Sequence, residues 1–385
     1  MLKSGVILFT AFEPSGDALA APVIEVLRAQ HPQIDIQALG GPRMRASGAQ
    51  LLRETTHNAV MLGGAVSKIL EHRAQLAILR RWLSDHRVTT LVAVDSPAAN
   101  WSICKLIRHL HPQARIVHLA APQLWAWAPW RIGKLRRLTD HVLCLLPFEP
   151  SWFAARNVPA SFIGHPIFDQ LSAASRQGTG VEGHLRLLLL PGSRRSEMRA
   201  NWPTMRRAFE LLRQRHAHMT GVVVVADDQG AGLIRTLGTA EGLEIQCGRI
   251  DQVLPQAHLA LVVSGTATLH VAAATRPMVV LFNVRPWLWH GVGRWMIQTR
   301  TFSLPNLIGQ SLGLGRIVPE FVPHFGQVKP VADQLRRLIE DEDWYRRQRH
   351  MLGRIIEPYA RLDYGRLATE RILDKGVPPA PEEKK

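Results

Sequence analysis

Two short loops in the second half of the chain carry residue types suited to binding a phosphate group. The first contains Gly192, Ser193 and Arg194 directly after an apolar run, and the second runs from Ser264 to Ala267 after another. Glycine lets the backbone approach a ligand closely, and arginine presents a planar fork to phosphate oxygens. Hydroxyls and free amides at a helix start also attract anions. Each loop alone could be an ordinary strand-to-helix turn, but two in one domain favour a diphosphate site.

One aspartate stands where a general base would be useful. Asp95 follows the apolar run at residues 91–94 and precedes Ser96 and Pro97. A carboxylate at the carboxyl end of a central strand is well placed to take a proton from a substrate hydroxyl. The alternative is that Asp95 caps a helix that begins near Pro97, which is the commoner use of such an aspartate.

A tryptophan-rich segment is followed by basic residues. The tryptophans are Trp125, Trp127 and Trp130, and the basic residues after them are Arg131, Lys134, Arg136 and Arg137. One or two of these rings could belong to a buried core. Indoles beside arginines also suit the headgroup level of a membrane, and aromatic rings can stack on nucleic-acid bases. The combination favours a membrane interface slightly over the core.

Short apolar strands alternate with longer helical patterns and would place these residues at strand ends. The predicted strands are residues 6–10, 34–39, 91–94, 115–119, 141–145, 161–163, 185–190, 221–226, 244–246, 259–263 and 278–282. The predicted helices are residues 19–30, 69–85, 101–110, 200–216, 266–274, 331–339 and 344–356. This alternation indicates right-handed βαβ units and parallel sheets. In such sheets ligands bind beyond the carboxyl ends of the strands.

Both halves open with an apolar strand and a loop of small residues, so the sequence predicts two doubly wound α/β domains. The first would span residues 1–172 and the second residues 184–330, because the segment between them is polar and unpatterned. Residues 331–375 would form C-terminal helices. Residues 376–385 are rich in proline and charge and would be a disordered tail.

Composition limits the class of protein and its partners. With 385 residues, 46% of them hydrophobic, the chain is neither disordered nor collagen-like. Lys and Arg number 47 against 31 Asp and Glu, which gives a net charge of +16 and indicates an anionic partner. The three cysteines, Cys104, Cys144 and Cys247, are too far apart in sequence for a zinc ribbon and indicate a reducing compartment. No apolar run approaches the ~18 residues of a membrane-spanning helix.

Ten short motifs, in order along most of the chain, resemble those of one enzyme family. They are Glu13-Pro14-Ser15-Gly16-Asp17, Gly40-Gly41-Pro42-Arg43-Met44, Ala59-Val60-Met61, Asp95-Ser96-Pro97, Trp125-Ala126-Trp127, Leu146-Pro147-Phe148-Glu149, Phe162-Ile163-Gly164-His165-Pro166, Leu190-Pro191-Gly192-Ser193-Arg194, Ser264-Gly265-Thr266-Ala267 and Ser303-Leu304-Pro305-Asn306-Leu307. The chain thereby resembles lipid-A-disaccharide synthase, a bacterial glycosyltransferase family. That family has the GT-B fold, in which two Rossmann-like domains face a cleft and C-terminal helices follow.

The resemblance implies a reaction and its setting. 2,3-Diacylglucosamine would be transferred from UDP to 2,3-diacylglucosamine 1-phosphate with inversion, which gives a β-1,6-linked disaccharide phosphate and UDP. No metal or other cofactor would be required, and no nucleic acid would be bound. The enzyme would be cytoplasmic and peripherally attached to the cytoplasmic face of the inner membrane, as a homodimer that exchanges its terminal helices.

The resemblance also implies roles for individual residues. Asp95 would be the catalytic base. The UDP site would comprise Gly192, Ser193, Arg194, Ser264, Gly265, Thr266, Ala267, His270 and Asn306. The acceptor side would comprise Glu13, Ser15, Gly16, Asp17 and Asn100. Trp125, Trp127, Trp130 and Arg131 would face the membrane.

The sequence departs from the family pattern at several positions. His270 stands where the family usually has a glutamate that would hold the ribose hydroxyls, and an imidazole cannot act as a bidentate carboxylate. Ala98 replaces a second acid, the stretch around Ala65 lacks a customary glutamate, and Pro14 replaces a small residue. A related GT-B enzyme with another UDP-sugar or acceptor is therefore the first alternative. A basic nucleic-acid-binding protein, for which no signature is recognisable, and a non-catalytic descendant of the fold are the others.

Overall fold

Runs of apolar residues form the strands of two parallel sheets. The computed structural model describes residues 5–56, 65–170, 185–248, 250–286, 299–359 and 362–374, with the backbone alone at 65–72, 169 and 170. The first strand, Val6–Thr10, is buried at every position. Burial of consecutive residues is typical of a parallel strand that helices cover on both faces.

The first sheet is built from the first half of the chain. Among the described residues its strands are β1 (Val6–Thr10), β2 (Asp35–Gly40), β3 (Gln50–Glu54), β4 (Val88–Val94), β5 (Arg115–Leu119), β6 (His141–Cys144) and β7 (Ala160–Phe162). They lie in the order β3-β2-β1-β4-β5-β6-β7. The helices between and after them are α1 (Pro14–Gln30), α2 (Pro42–Ala46), α3 (Ala65–Leu83), α4 (Pro97–Leu110), α5 (Ile132–Leu138), α6 (Glu149–Ala154) and α7 (Pro166–Gln170).

The second sheet repeats this architecture. Among the described residues its strands are β8 (Arg186–Leu190), β9 (Thr220–Val225), β10 (Leu243–Cys247), β11 (Leu259–Val263), β12 (Met278–Asn283) and β13 (Glu320–His324), in the order β10-β9-β8-β11-β12-β13. The helices are α8 (Arg195–Arg215), α9 (Asp228–Thr236), α10 (Ile250–Val253), α11 (Ala267–Ala273), α12 (Leu304–Ser311), α13 (Val328–Glu340), α14 (Glu342–Ile356) and α15 (Tyr364–Leu373).

The strand order reverses at the same place in both sheets. In the first sheet β1 lies between β2 and β4, and in the second β8 lies between β9 and β11. The loops that leave β1 and β4, or β8 and β11, therefore diverge to opposite faces and leave a crevice at the carboxyl ends of the strands. Asp95, Arg194 and Thr266 lie in the loops after β4, β8 and β11, and Ser15 lies in the first turn of α1, just after the loop that leaves β1.

Close contacts group the described residues into two units. One contains the residues up to 124, those from 129 to 166 and those from 362 onward, and the other contains 125–128 and 167–361. The last helix, α15, thus returns to the first unit, where the Tyr364 hydroxyl donates to the Leu19 carbonyl at 2.8 Å. The boundary that the sequence suggested, residues 172–183, lies outside the described residues.

The predicted two-domain, Rossmann-like fold is confirmed. All eleven predicted strands are present among the described residues, with ends shifted by three residues or fewer. The prediction missed β3 and β13. Both are edge strands, and β3 (QLLRE) and β13 (EFVPH) are mostly only half-buried. Partly exposed edge strands mix polar and apolar residues, and Pro323 lies inside β13, so neither segment has the apolar run of a central strand.

Candidate active site

The turn that carries Asp95 has a backbone conformation that is costly for its residues. Asp95 and Ser96 have φ angles of 49° and 32° in the left-handed region, which residues other than glycine rarely adopt. Helix α4 begins at Pro97 with Ser96 at its N-cap position and no side-chain cap. The alternative that Asp95 caps this helix is therefore wrong. Backbone strain of this kind persists where surrounding contacts impose it, and it clusters at functional sites.

Contacts from the neighbouring strand and helix impose this turn. The Asp95 N–H donates to the Leu119 carbonyl at 2.9 Å. The Asn100 side chain donates to the carbonyls of Val94 and Asp95 at 3.0 and 2.9 Å, and its oxygen accepts from the Thr10 hydroxyl at 2.6 Å. Asn100 is completely buried. Asn100 thus holds the turn in place through its side chain, and its predicted place on the acceptor side stays a prediction.

The Asp95 carboxylate itself is half-exposed. Its Oδ2 accepts a hydrogen bond from the exposed Ser15 hydroxyl at 3.1 Å. This leaves acceptor positions of the carboxylate for other partners, since an ionised carboxylate has about four lone-pair sites. A half-exposed carboxylate held in a rigid turn can take a proton from a hydroxyl that is brought to it.

The remaining residues of the first motif differ in what they contact. Glu13 is half-buried and precedes α1. Gly16 is buried, and a Cβ there would lie 3.0 Å from the Ala11 Cβ, so glycine permits the close packing of α1 on the sheet. The Asp17 carboxylate accepts from three backbone N–H groups at the start of α2, each at 3.0 Å. Asp17 is buried and caps α2, and its predicted role on the acceptor side stays a prediction.

In the second unit, the loop after β8 is organised by a glutamate that the sequence analysis did not single out. The Glu197 Oε2 accepts from the backbone N–H groups of Ser193 and Arg194 at 3.2 and 3.3 Å. Its Oε1 pairs with the Arg194 Nη1 at 2.9 Å. Gly192 has a φ of +109°, so the turn requires glycine. Glu197 is the third residue of α8, which is the position of a capping-box glutamate.

This arrangement leaves Arg194 at the surface. The Arg194 side chain is 68% exposed, and it lies at the N-terminus of α8, where the helix dipole already attracts anions. Glu197 engages both loop amides and one nitrogen of the guanidinium. Because a guanidinium has five N–H donors, its exposed part is the group of this loop that is best placed to meet a phosphate.

The loop after β11 has the predicted form. Gly265 and Thr266 are exposed, and α11 begins at Ala267 with no side-chain cap. The Ser264 hydroxyl donates to the Phe302 carbonyl at 3.0 Å, and the Thr268 hydroxyl donates to the Gly265 carbonyl at 2.7 Å. Ser264 therefore ties this loop to the segment that contains Asn306.

Asn306 has a structural role. Its amide nitrogen donates to the Val318 carbonyl and to Glu320 at 3.0 and 2.9 Å, and its oxygen accepts from the N–H groups of Ile317 and Val318. An asparagine offers two donors and two acceptor positions, so all four are used inside the protein. The residue is completely buried, and its contact with UDP stays a prediction.

Glu320 joins Asn306 to the preceding segment. Its carboxylate accepts from the backbone N–H groups of Phe302 and Ser303 at 2.7 and 3.0 Å, and from the Ser303 hydroxyl at 2.6 Å. With Asn306 this makes four hydrogen bonds to one carboxylate. Glu320 carries no motif in the sequence, because its partners lie far from it along the chain.

His270 lies on α11 beside a carboxylate of α10. Its Nδ1 is 3.6 Å from the Asp251 Oδ1, which is too long for a hydrogen bond. Burial lowers the pKa of His270, and the charge of Asp251 opposes this effect. The imidazole is thus neutral near pH 7 and lies directly beside the Asp251 carboxylate.

The tryptophan segment is exposed in part. Trp130 and Trp127 are 64% and 41% exposed, while Trp125 is half-buried. Nearby, the Lys134 Nζ lies 4.1 Å from the centroid of the buried Trp101 ring, and the Arg131 Cζ lies 5.6 Å from it. Burial lowers the pKa of Lys134, and the positive charges of Lys105, Arg131 and Arg137 lower it further. The positively charged side chains of Arg131 and Lys134 therefore lie together at the Trp101 ring.

Some predicted features fall elsewhere. The Ala59-Val60-Met61 motif lies outside the described residues, and Ala65 is the first residue of α3.

In the described part of the chain, no three His, Cys, Asp or Glu side chains cluster as metal ligands would. Every helix that the structure describes is too short or too polar to cross a bilayer.

The two sheets, with a carboxylate loop on one and a phosphate-type loop on the other, define a protein of the GT-B class. Solved structures with the same fold include UDP-GlcNAc 2-epimerase from Neisseria meningitidis bound to UDP-GlcNAc. It is 13% identical, has a TM-score of 0.64 and covers 96% of this chain and 99% of its own. The spinosyn rhamnosyltransferase SpnG complexed with thymidine diphosphate is 12% identical, with a TM-score of 0.60, and covers 95% of this chain and 99% of its own.

Sequence comparison identifies the family. The sequence profile of lipid-A-disaccharide synthetase matches residues 7–363. The lipid-A-disaccharide synthase of Azotobacter vinelandii is 33% identical over 350 residues, which is 87% of this chain and 89% of the relative. The chain belongs to the lipid-A-disaccharide synthetase family, and with it to the glycosyltransferases.

Proposed function

We propose that this protein transfers 2,3-diacylglucosamine from UDP to the 6-hydroxyl of 2,3-diacylglucosamine 1-phosphate, with inversion and release of UDP. The observation that carries the proposal is the Asp95 turn, because its strained backbone holds a half-exposed carboxylate at the carboxyl end of β4. Asp95 would take the proton of the acceptor hydroxyl as that oxygen attacks the sugar carbon. The bond from that carbon to the diphosphate oxygen breaks on the opposite face, which accounts for inversion.

The second unit supplies the donor side of this proposal. The exposed guanidinium of Arg194 and the start of α11 at Gly265 and Thr266 would neutralise the diphosphate as UDP leaves. Asn306 and Glu320 would contribute indirectly, by fixing the segment to which Ser264 is bonded. The proposal requires no metal or other cofactor, since cationic side chains and a helix N-terminus would stabilise the negative charge of the departing UDP.

We extend the proposal to the place where the reaction occurs. Acylated substrates reside in a membrane, and the exposed Trp130 beside Arg131 and Lys134 suits an anionic bilayer surface. The protein would work there as a peripheral homodimer on the cytoplasmic face of the inner membrane. Light scattering that gives twice the mass of one chain would support the dimer, and the mass of a single chain would refute it.

Removing one cation tests the membrane surface. Lys134→Gln should lower partitioning to phosphatidylethanolamine vesicles that contain phosphatidylglycerol about 5-fold, because a basic residue near an anionic surface contributes about 1 kcal/mol. Lys329→Gln is the matched control, since it removes an exposed positive charge from α13. Vesicle flotation measures both. Equal losses for the two variants would show that net charge rather than this surface governs binding.

The second candidate is a related enzyme that uses another UDP-sugar. It is favoured by one observation, the neutral His270 beside Asp251 on the donor unit. A competition panel separates the two, in which unlabelled UDP-sugars compete with the diacylated donor for turnover. The proposal expects the diacylated donor to have the highest kcat/KM, and a higher value for another UDP-sugar would favour the second candidate.

A further inference from the structure

The start of α8 carries residue types that do not favour a helix start. Arg194 is the N-cap residue and Arg195 is the first residue of the helix. An N-cap is usually Ser, Thr, Asp or Asn, because their oxygens accept from backbone N–H groups, whereas a guanidinium has donors only. The positive end of the helix dipole also repels a cation. These arginines therefore lower the stability of the helix start, and their charge suits an anionic ligand.

One carboxylate supplies the acceptors that Arg194 lacks. Glu197 accepts from the N–H groups of Ser193 and Arg194 through Oε2, and from the Arg194 Nη1 through Oε1 at 2.9 Å. The Glu197 side chain is only 16% exposed, whereas the Arg194 side chain is 68% exposed. A largely covered carboxylate thus holds one nitrogen of an exposed guanidinium.

The loop and the helix fix Glu197 in turn. A Cβ at Gly192 would lie 2.7 Å from the Glu197 Cβ and from its Oε2, so the turn is shaped around this side chain. The Asn201 amide donates to the Glu197 carbonyl at 2.8 Å, and its oxygen accepts from the Asn283 N–H at the end of β12 at 2.7 Å. Asn201 is completely buried. Glu197 is therefore held relative to the second sheet, and it holds the Arg194 guanidinium there as well.

We propose that Glu197 is a positioning residue for the donor, which holds the Arg194 guanidinium in the orientation that meets the diphosphate of the UDP-sugar. This inference rests on the proposed function, in which Arg194 neutralises the departing UDP. An arginine side chain loses conformational entropy when a ligand fixes it. A carboxylate that has already ordered the guanidinium reduces this cost and so increases affinity.

Positioning and simple charge predict opposite effects of Glu197→Gln. A carboxylate near a phosphate site repels the ligand, so the loss of its charge alone should strengthen UDP binding. The amide keeps the length of the side chain and one acceptor oxygen, but it cannot form the ion pair with Arg194. We therefore expect the Kd for UDP to rise about 10-fold and kcat/KM for the donor to fall by a similar factor. The Kd for uridine, which lacks the diphosphate, should not change.

A double-mutant cycle separates positioning from helix capping. In an Arg194→Ala protein there is no guanidinium to hold, so adding Glu197→Gln should weaken UDP binding no further. A role in capping alone predicts the same loss with and without the arginine, because the loop amides are present in both proteins. Calorimetric titration of UDP and uridine into the wild type, the two single variants and the double variant measures the cycle.

A second glutamate of α8 provides the control. Glu210 lies on the same helix and forms ion pairs with Arg206 and, at 3.0 Å, with Arg207. Glu210→Gln removes the same charge and the same kind of ion pair away from the loop. The Kd for UDP should stay within about two-fold of the wild-type value.

Four outcomes would overturn the inference. They are a Glu197→Gln protein that binds UDP as tightly as the wild type or more tightly, an equal loss of affinity with and without Arg194, an unfolded Glu197→Gln protein, which would assign Glu197 to the fold, and a wild type that does not bind UDP. Failure of the proposed function is distinct, because the wild type would then bind UDP but not turn over the diacylated pair.

Discussion

Asp95→Asn is expected to lower kcat about 10³-fold, within the range that a general base contributes, while the Kd for UDP stays unchanged. The amide has the shape of the carboxylate, so the turn held by Leu119 and Asn100 should persist. It cannot accept the proton of the acceptor hydroxyl, however. Steady-state turnover and calorimetric UDP binding on the same preparation measure both parts.

Ser15→Ala is the matched control for this prediction. It removes the hydrogen bond that Asp95 Oδ2 accepts but leaves the base in place, so kcat should fall only a few-fold. If Asp95→Asn retained more than a tenth of the wild-type kcat, Asp95 would not be the base. A loss of UDP binding together with turnover would mean that the substitution had disturbed the fold.

Glu320→Ala is expected to lower the free energy of unfolding by about 3 kcal/mol, because several hydrogen bonds to a charged group are lost and their donors are left unpaired. Those donors are the N–H groups of Phe302 and Ser303, the Ser303 hydroxyl and the Asn306 amide. Since Ser264 is bonded to Phe302, the loop before α11 should loosen and UDP should bind more weakly. Denaturant unfolding and UDP titration test the two effects.

The control for this substitution is Glu244→Ala. Glu244 lies on the edge strand β10 and pairs with Arg186 at 2.8 Å, with more than half of its side chain exposed. Exposed ion pairs contribute about 0–1 kcal/mol, so this variant should be nearly as stable as the wild type. A Glu320→Ala protein of wild-type stability would contradict the role given to the Glu320 network.

The fold was largely predictable from the sequence because most residues of the central strands are apolar. Residues of β1 and β11 are apolar along almost their whole length, and the observed bounds of β1, β5 and β11 equal the predicted ones. Edge strands, in contrast, mix polar and apolar residues. Glu320 opens β13, which the pattern missed, so the edge position also concealed a carboxylate that accepts four hydrogen bonds.

The loops of the candidate site were predictable from sequence, whereas the residues whose side chains hold these loops in place were not. Gly192, Arg194 and Asp95 stand directly after apolar strands, so their position follows from chain order alone. The contact between Thr10 and Asn100 joins residues 90 positions apart, which no local pattern encodes. Asn306 is assigned to the UDP site by the family resemblance alone, and its hydrogen bonds inside the protein were equally absent from any local pattern.

One supporting residue, Glu197, could have been recognised from the sequence. Glu197 had a local signal, because a glutamate at the third helical position is typical of a capping box.

One measurement tests the central claim most directly. Purified protein is incubated with UDP-2,3-diacylglucosamine and 2,3-diacylglucosamine 1-phosphate, and the released UDP and the lipid product are quantified together. The account predicts equimolar UDP and a β-1,6-linked disaccharide 1-phosphate, both of which depend on Asp95. Absence of the disaccharide at any enzyme concentration, or release of UDP without it, would contradict the account.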